Sequence, residues 1–284
     1  VPFAPGGPTD IVTRVVAQRL SEMWGQSVVI DNRGGAGGNI GGELAAKAQP
    51  DGYTLFMASG SVVTVNPHMY KKMPFDPAKD LVAITNVASG PHVVVVANSV
   101  LAKSVTELIT LAKAKPGWLK YGSAGVGSQI HLAAEKFVYA AGISGVHVPY
   151  RGGGPGLIGL VSSDIDLLLP TIATVIGLIT QRVVRALAVT SAQRSARLPD
   201  VATVAETLPG FESLGWFGLM APAGTPKRVI DKAYRDTVEV LASAEIKKRF
   251  DDLGMAPVGN PPAEFAKAIR EESEQWAKII RERK

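Results

Sequence analysis

Residues 1–31 read VPFAPGGPTDIVTRVVAQRLSEMWGQSVVID, and their reading decides the fold class. Val1-Pro2-Phe3 has the character of a strand end, and Pro5-Gly6-Gly7-Pro8 forces a turn. Apolar residues then recur at 11, 12, 15, 16, 20, 23 and 24, the spacing of one helix face. Thr9 or Asp10 can cap the start of that helix and Gly25 its end. Residues 27–31 return to strand character.

The same alternation continues outward from this unit. Strands are predicted at 53–58, 80–88, 92–97, up to Tyr121, 146–149, 164–169 and 186–190. Helices are predicted at 39–48, 104–115, 129–140, 156–161 and 172–180, then at 226–242, 244–253 and 262–283. Ser104 with Glu107 three residues on forms a capping box. Alternating strands and helices imply α/β lobes, each a mainly parallel sheet flanked by helices. Such sheets bind ligands beyond the carboxyl ends of their strands. A length of 284 residues suits two lobes better than one. The extended runs at 93–97 and 216–220 are read as the crossover strands. One lobe is then 1–98 plus 220–284, the other 99–219, with a ligand cleft between them.

Composition narrows the chemistry. Hydrophobic residues make up 46% and charged residues 19%, as in a packed globular protein. With no cysteine there is no disulfide, thiolate metal site or Cys nucleophile. The four histidines, His68, His92, His131 and His147, form no i, i+3 or i+4 pair, so no helical metal site is expected. No apolar run approaches the roughly 20 residues of a membrane-spanning helix. The net charge of +5 is scattered among acids along helices, a solvated face rather than a nucleic-acid stripe, and can steer anions towards a cleft. Val1 begins inside strand character with no apolar leader before it, and a leader plus a few residues are expected to precede it.

Four loops can carry recognition. Phe3, Ala4, Gly7 and Asp10 belong to the first helix start, where unpaired N–H groups and the helix dipole favour an anion. Asp10 reads equally as a cap. In Tyr121-Gly122-Ser123-Ala124-Gly125-Val126-Gly127-Ser128-Gln129-Ile130-His131, a strand again runs through small residues into a helix. The N–H groups and hydroxyls of Ser123, Ala124, Gly125, Gly127 and Ser128 can wrap a carboxylate without Lys or Arg. His131 reads as a structural hydrogen-bonding residue or a ligand contact. In Pro149-Tyr150-Arg151-Gly152, Tyr150 can wall a pocket and Arg151 can pair with an acid or lie on the surface. The exit after residue 58 carries Ser59 and Thr64. The run Asn32-Arg33-Gly34-Gly35-Ala36-Gly37-Gly38-Asn39 fits neither a dinucleotide fingerprint nor a P-loop and reads as a structural connection. G-x-S-x-G and H-E-x-x-H are absent. An enzyme reading would have to use His131 with Ser128 or Asp166.

Taken together, several segments resemble one family. They are Val1 to Asp10, the glycine run 32–42, Pro50-Asp51-Gly52-Tyr53-Thr54-Leu55, Tyr121 to His131, and His147-Val148-Pro149-Tyr150-Arg151-Gly152. Leu187-Ala188-Val189-Thr190, Leu198-Pro199-Asp200-Val201 and Ala221-Pro222-Ala223-Gly224-Thr225-Pro226 complete the pattern. The chain is similar to the tripartite tricarboxylate transporter substrate-binding receptors, or Bug receptors. The resemblance implies a periplasmic, two-lobed "Venus flytrap" protein, monomeric and without a cofactor, that captures a small carboxylate for membrane permease subunits. It also implies that the loops 3–10 and 122–128 grip the ligand carboxylate from opposite lobes. Tyr150, Arg151 and Asp166 complete the expected contacts. Ala4, where the family pattern expects proline, Ser162-Ser163-Asp164, and Gln181-Arg182-Val183-Val184-Arg185 depart from that pattern. The alternatives are a sensor that presents its closed form to a signalling partner and a hydrolase-type enzyme on the same scaffold.

Overall fold

A computed structural model describes residues 1–282 and contains two sheets with helices packed around them. The first sheet has the order β1-β8-β2-β9, from β1 (Phe56–Ser59), β2 (Leu81–Pro91), β8 (Leu214–Pro222) and β9 (Ala256–Pro257). The second has the order β5-β4-β6-β3-β7, from β3 (Val93–Ala97), β4 (Leu119–Ser123), β5 (Gly145–Pro149), β6 (Leu167–Leu168) and β7 (Val184–Val189). The chain passes from one sheet to the other at His92, between β2 and β3, and returns before β8.

This connectivity corrects the strand directions. Every pairing in the first sheet is antiparallel, not parallel. In the second sheet β5, β4 and β6 run parallel, whereas β3 opposes both β6 and β7. Periodicity reports which face of a strand is buried but carries no sign of direction. The crossovers also shift. Val93–Ala97 pairs wholly inside the second sheet, and 216–220 wholly inside the first. The continuous Val93-Val94-Val95-Val96 run fits its place between β6 and β7, where both faces are covered.

Helices α1 (Pro8–Trp24), α2 (Asn39–Ala46), α3 (Gly60–Thr64), α4 (Asn66–Met69) and α5 (Pro77–Asp80) precede or flank the first sheet. Helices α6 (Val105–Ala114), α7 (Gln129–Ala140), α8 (Gly153–Val161) and α9 (Ile172–Thr180) accompany the second. The C-terminal helices α10 (Lys227–Ala242), α11 (Ala244–Asp252) and α12 (Pro262–Glu282) return to the first. The expected helix end at Arg283 lies outside the described residues. Phe265 of α12 is buried against β8, where a Cβ on Gly218 would lie 2.2 Å from its ring. It also meets the Trp216 ring edge-on at 5.2 Å.

The strands expected at 1–3 and 27–31 do not form as regular strands. Their trace is one parallel-type rung: Val1 N–H donates to Asp31 O at 2.9 Å, and Arg33 N–H donates to Val1 O at 2.9 Å.

Loops of the two halves are in contact. A Cβ on Gly37 would lie 2.1 Å from Val126 O, one on Gly34 2.8 Å from Arg151 O, and one on Gly154 2.7 Å from Pro5 O. Tyr70 Oη donates to Val126 O at 2.8 Å, and Gln129 Nε2 to Trp216 O at 2.7 Å. The glycine run at 32–39 thus serves as a contact surface between the halves as well as a connection into α2.

Candidate functional site

The α1 start is built by Asp10, the third residue of the helix. Its Oδ2 accepts from Gly6 N–H at 3.0 Å and from Arg14 Nε at 2.9 Å; its Oδ1 accepts from Asn32 Nδ2 at 3.0 Å. The same Asn32 amide donates to Phe3 O at 2.9 Å. Burial opposes ionisation of Asp10, but the bonds from Arg14, Gly6 and Asn32 outweigh it and hold the carboxyl below its ordinary range. Both oxygens are spoken for, so Asp10 positions the 3–7 loop instead of lining the cavity. Replacing it with alanine strands the Gly6 and Asn32 donors. The expected cost is about 2–4 kcal/mol in urea unfolding, and a loss below about 0.5 kcal/mol would refute this role.

Gly7 is the N-cap of α1, with no side-chain cap, so the first-turn N–H groups have neither a helical acceptor nor a side-chain substitute. The α8 start at Gly152 is likewise uncapped. The α7 start is partly closed, because Ser128 Oγ accepts from His131 N–H at 3.3 Å.

These three starts meet at one small cavity of about 20 Å³. Its walls include Phe3, Pro8 and Thr9 from the α1 loop, Ala124, Ser128, Gln129 and Ile130 from the α7 loop, and Gly153 from α8. Ser59, His92 and Phe217 complete it. No lining residue is Lys or Arg. The electrostatic offer to a ligand is therefore positive helix ends and hydroxyls within an apolar wall of Phe3, Ile130 and Phe217.

Of the expected site residues, Phe3, Ser59, Ala124 and Ser128 reach this cavity. Ala4 and Gly7 stand at its rim, packed against Gly152 and Gly153 of the opposite half. The others have different employment. Ser123 Oγ accepts from Gly125 N–H at 3.1 Å and is hydrogen-bonded to His147 Nε2 at 2.6 Å. Gly127 N–H donates to His131 Nδ1 at 3.2 Å, and His131 Nε2 faces Glu135 Oε1 at 3.4 Å. These groups hold the shape of the loop, and Gly125 (φ 114°) and Gly127 (φ 80°) supply backbone that other residues rarely adopt.

Thr64 points away, donating to Gly60 O and Glu272 Oε1. Tyr150 packs on α8, where a Cβ on Gly159 would lie 2.2 Å from its Oη; burial raises the phenol pKa. The Arg151 side chain is exposed. Asp166 stands immediately before β6, its Oδ2 accepting from Lys120 N–H at 2.7 Å. It does not join His131 in any relay.

The His147 ring lies 4.1 Å from that of His131. Burial first, then repulsion from His131, lower its pKa to about 4 against a weaker pull from Glu135. His147 is therefore neutral beside the Ser123 hydroxyl. The pair resembles a nucleophile and its base, but Ser123 is fully buried and committed on both sides. Its geometry serves loop support.

Sequence reasoning missed Pro8, Thr9, Gln129, Ile130, His92, Phe217 and Gly153 as cavity walls. Gln129 had a local signal, since it is the first residue after the Ser128 cap. His92 and Phe217 had none, because their place depends on where the chain changes sheets.

Residues 12–284 match the family model described as tripartite tricarboxylate transporter family receptor. BugT of Bordetella pertussis is 36% identical over 284 residues, covering 99% of this chain and 87% of that protein. The Rhodopseudomonas palustris protein Rpa4515, solved with adipate, superposes with a TM-score of 0.96 at 34% identity, covering 99% of this chain and 94% of that one. MatC from the same organism, solved with bound malate, gives a TM-score of 0.93 at 28% identity over 99% of this chain and 97% of that one. A two-sheet periplasmic-binding fold whose helix starts face one cavity, joined to these matches along nearly the whole chain, places this protein in the tripartite tricarboxylate transporter receptor family.

Proposed function

We propose that this receptor captures a small carboxylate between two lobes in the periplasm and delivers it to the membrane permease subunits of a tripartite transporter. The observation that carries the reading is the convergence of the α1, α7 and α8 starts on one cavity without a cationic side chain. Thr9 and Ile130 lie in first helical turns from opposite halves, so their N–H groups are suited to share a carboxylate across the cleft. Phe3, Ile130 and Phe217 would cover the ligand's carbon chain, while Ser59 and Ser128 offer hydroxyls. Asp10, Ser123, Gly125, Gly127 and His131 support the loops, and Ala4 and Gly7 seal the rim.

The lobes would hinge near His92 and Ser213, where the chain crosses between sheets, and close as bound ligand favours the closed state. Adipate and malate in the related structures favour a short dicarboxylate here as well.

Calorimetry with malate, adipate and their monoamides tests the reading. Saturable binding of at least one diacid is expected, weakened about tenfold or more when one carboxylate becomes an amide. No saturable binding by any short mono- or dicarboxylate would overturn it. Co-purification of ligand-loaded receptor with its permease subunits tests delivery; recovery that does not depend on ligand would count against it.

A further inference from the structure

A second, larger cavity of about 150 Å³ shares His92 and Gln129 with the first, so these two side chains form the partition between them. Its other walls include Ser61, Trp216, Glu272 and Trp276 on the side of the first sheet and Leu132 and Lys136 on the side of the second. Three buried polar atoms at this place have no hydrogen-bond partner: His92 Nε2, Gln129 Oε1 and Ser61 Oγ. His92 and Ser61 are 1% and 2% exposed. Buried polar groups ordinarily find partners, so three orphans around one cavity are a statement about what it holds.

The chemistry of the walls selects the class. His92 Nδ1 faces Ser213 O at 3.4 Å, which makes Nδ1 the protonated nitrogen and leaves Nε2 an acceptor. Gln129 donates its amide to Trp216 O, so its free oxygen is also an acceptor. The Glu272 carboxyl accepts from Trp216 Nε1 at 2.6 Å, from Thr64 Oγ1 at 3.3 Å and from the Trp276 side chain. All three neighbours are donors, which suits an ionised carboxylate, yet no cationic side chain pairs with Glu272 among the described residues. Burial accordingly pushes its pKa up. Lys136, the cation in the wall, is engaged elsewhere: its Nζ donates to Glu212 O at 2.5 Å and lies 5.6 Å over the Phe211 ring. A half-buried carboxylate without a counter-charge, further acceptors and two indole rings form the surroundings of a small organic cation.

We propose that this cavity is a second ligand site, for a small primary ammonium ion, complete only when the two halves are closed. Its walls come from both halves, so occupancy and cleft closure reinforce each other.

Methylammonium chloride is the probe, titrated into the full chain at constant ionic strength and followed by calorimetry and indole fluorescence. Potassium chloride and methanol are the controls. Saturable methylammonium binding is expected, at least about tenfold weaker in Glu272→Gln and tighter in the presence of a bound diacid. Trp276→Phe, which keeps the carboxylate, should weaken it by a few-fold and serves if Glu272→Gln melts early. Absence of saturation, an unchanged affinity in both variants, or equal binding of potassium or methanol would overturn the proposal. Because methylammonium is first titrated without any carboxylate, these outcomes stand apart from failure of the cleft to bind a diacid.

Discussion

Gly154→Leu is expected to weaken diacid binding about 100-fold or more, roughly 3 kcal/mol, without loss of stability. Gly154 lies in the first turn of α8, and its φ is not in the left-handed region. Leucine is a better helix former than glycine by about 1 kcal/mol at a helical position. The lobe that carries it should therefore be as stable as before. Across the cleft, however, the new Cβ would stand 2.7 Å from Pro5 O, with backbone of Gly6 directly behind. Backbone oxygens on a loop tied down by Asp10 and Asn32 cannot swing aside as a long side chain can. The halves must then stay apart, and a receptor denied its closed state loses the part of its affinity that closure supplies. Calorimetry with malate or adipate, melting temperature, and small-angle scattering together check this. Unchanged affinity, or weak binding accompanied by a lowered melting temperature, would remove steric blocking as the explanation.

Acid should destabilise the fold through histidine. His92 is wholly buried, and desolvation, against a weaker bond to Ser213, lowers its pKa to about 4. In the unfolded chain the same imidazole titrates near 6.5. Between those values the unfolded state binds a proton that the folded state refuses. Stability is therefore full above about pH 6.5 and falls as pH drops towards 4, after which this group contributes no further loss. The shift sets an upper limit of roughly 3 kcal/mol for His92 alone. His147, also held near 4, acts in the same direction and window, with its charged form opposed by His131 and by burial. The depressed carboxyls of Asp10 and Glu206 act differently: their stabilisation is present above the unfolded carboxylate range and is lost at lower pH. Thermal melts from pH 8 to 4 should show the decline. His92→Asn, whose amide can still reach Ser213, should flatten much of it. A variant with the wild-type slope between pH 6.5 and 4 would assign the effect to other groups.

Local chemistry made much of the site legible before any contact was known. The Pro5-Gly6-Gly7-Pro8 turn and the Gly125 and Gly127 hinges announce helix starts, because backbone φ and the absence of an N–H are properties of single residues. Ser128 and Ser104 behave as caps for the same reason. What each polar group does was not legible. Thr64 and Tyr150 sit beside the right loops but turn to Glu272 and to α8, partners remote in the chain or set by how a helix lies on its sheet. Asp166 has an acid's chemistry and spends it on Lys120 N–H.

The amino-acid order by itself determined the alternation of strands and helices, the two glycine-rich helix starts and their affinity for anions, since these depend on neighbours within a turn or two. Tertiary structure alone decided strand direction, the crossing at His92, and which donors remain for a ligand. A hydrogen-bond donor committed to one acceptor has little left for another. Whether Gly127 N–H or Ser123 Oγ is free thus depends on His131 and His147, placed by packing around the second sheet. Packing also set Thr9 and Ile130, distant in sequence, on facing walls of one cavity.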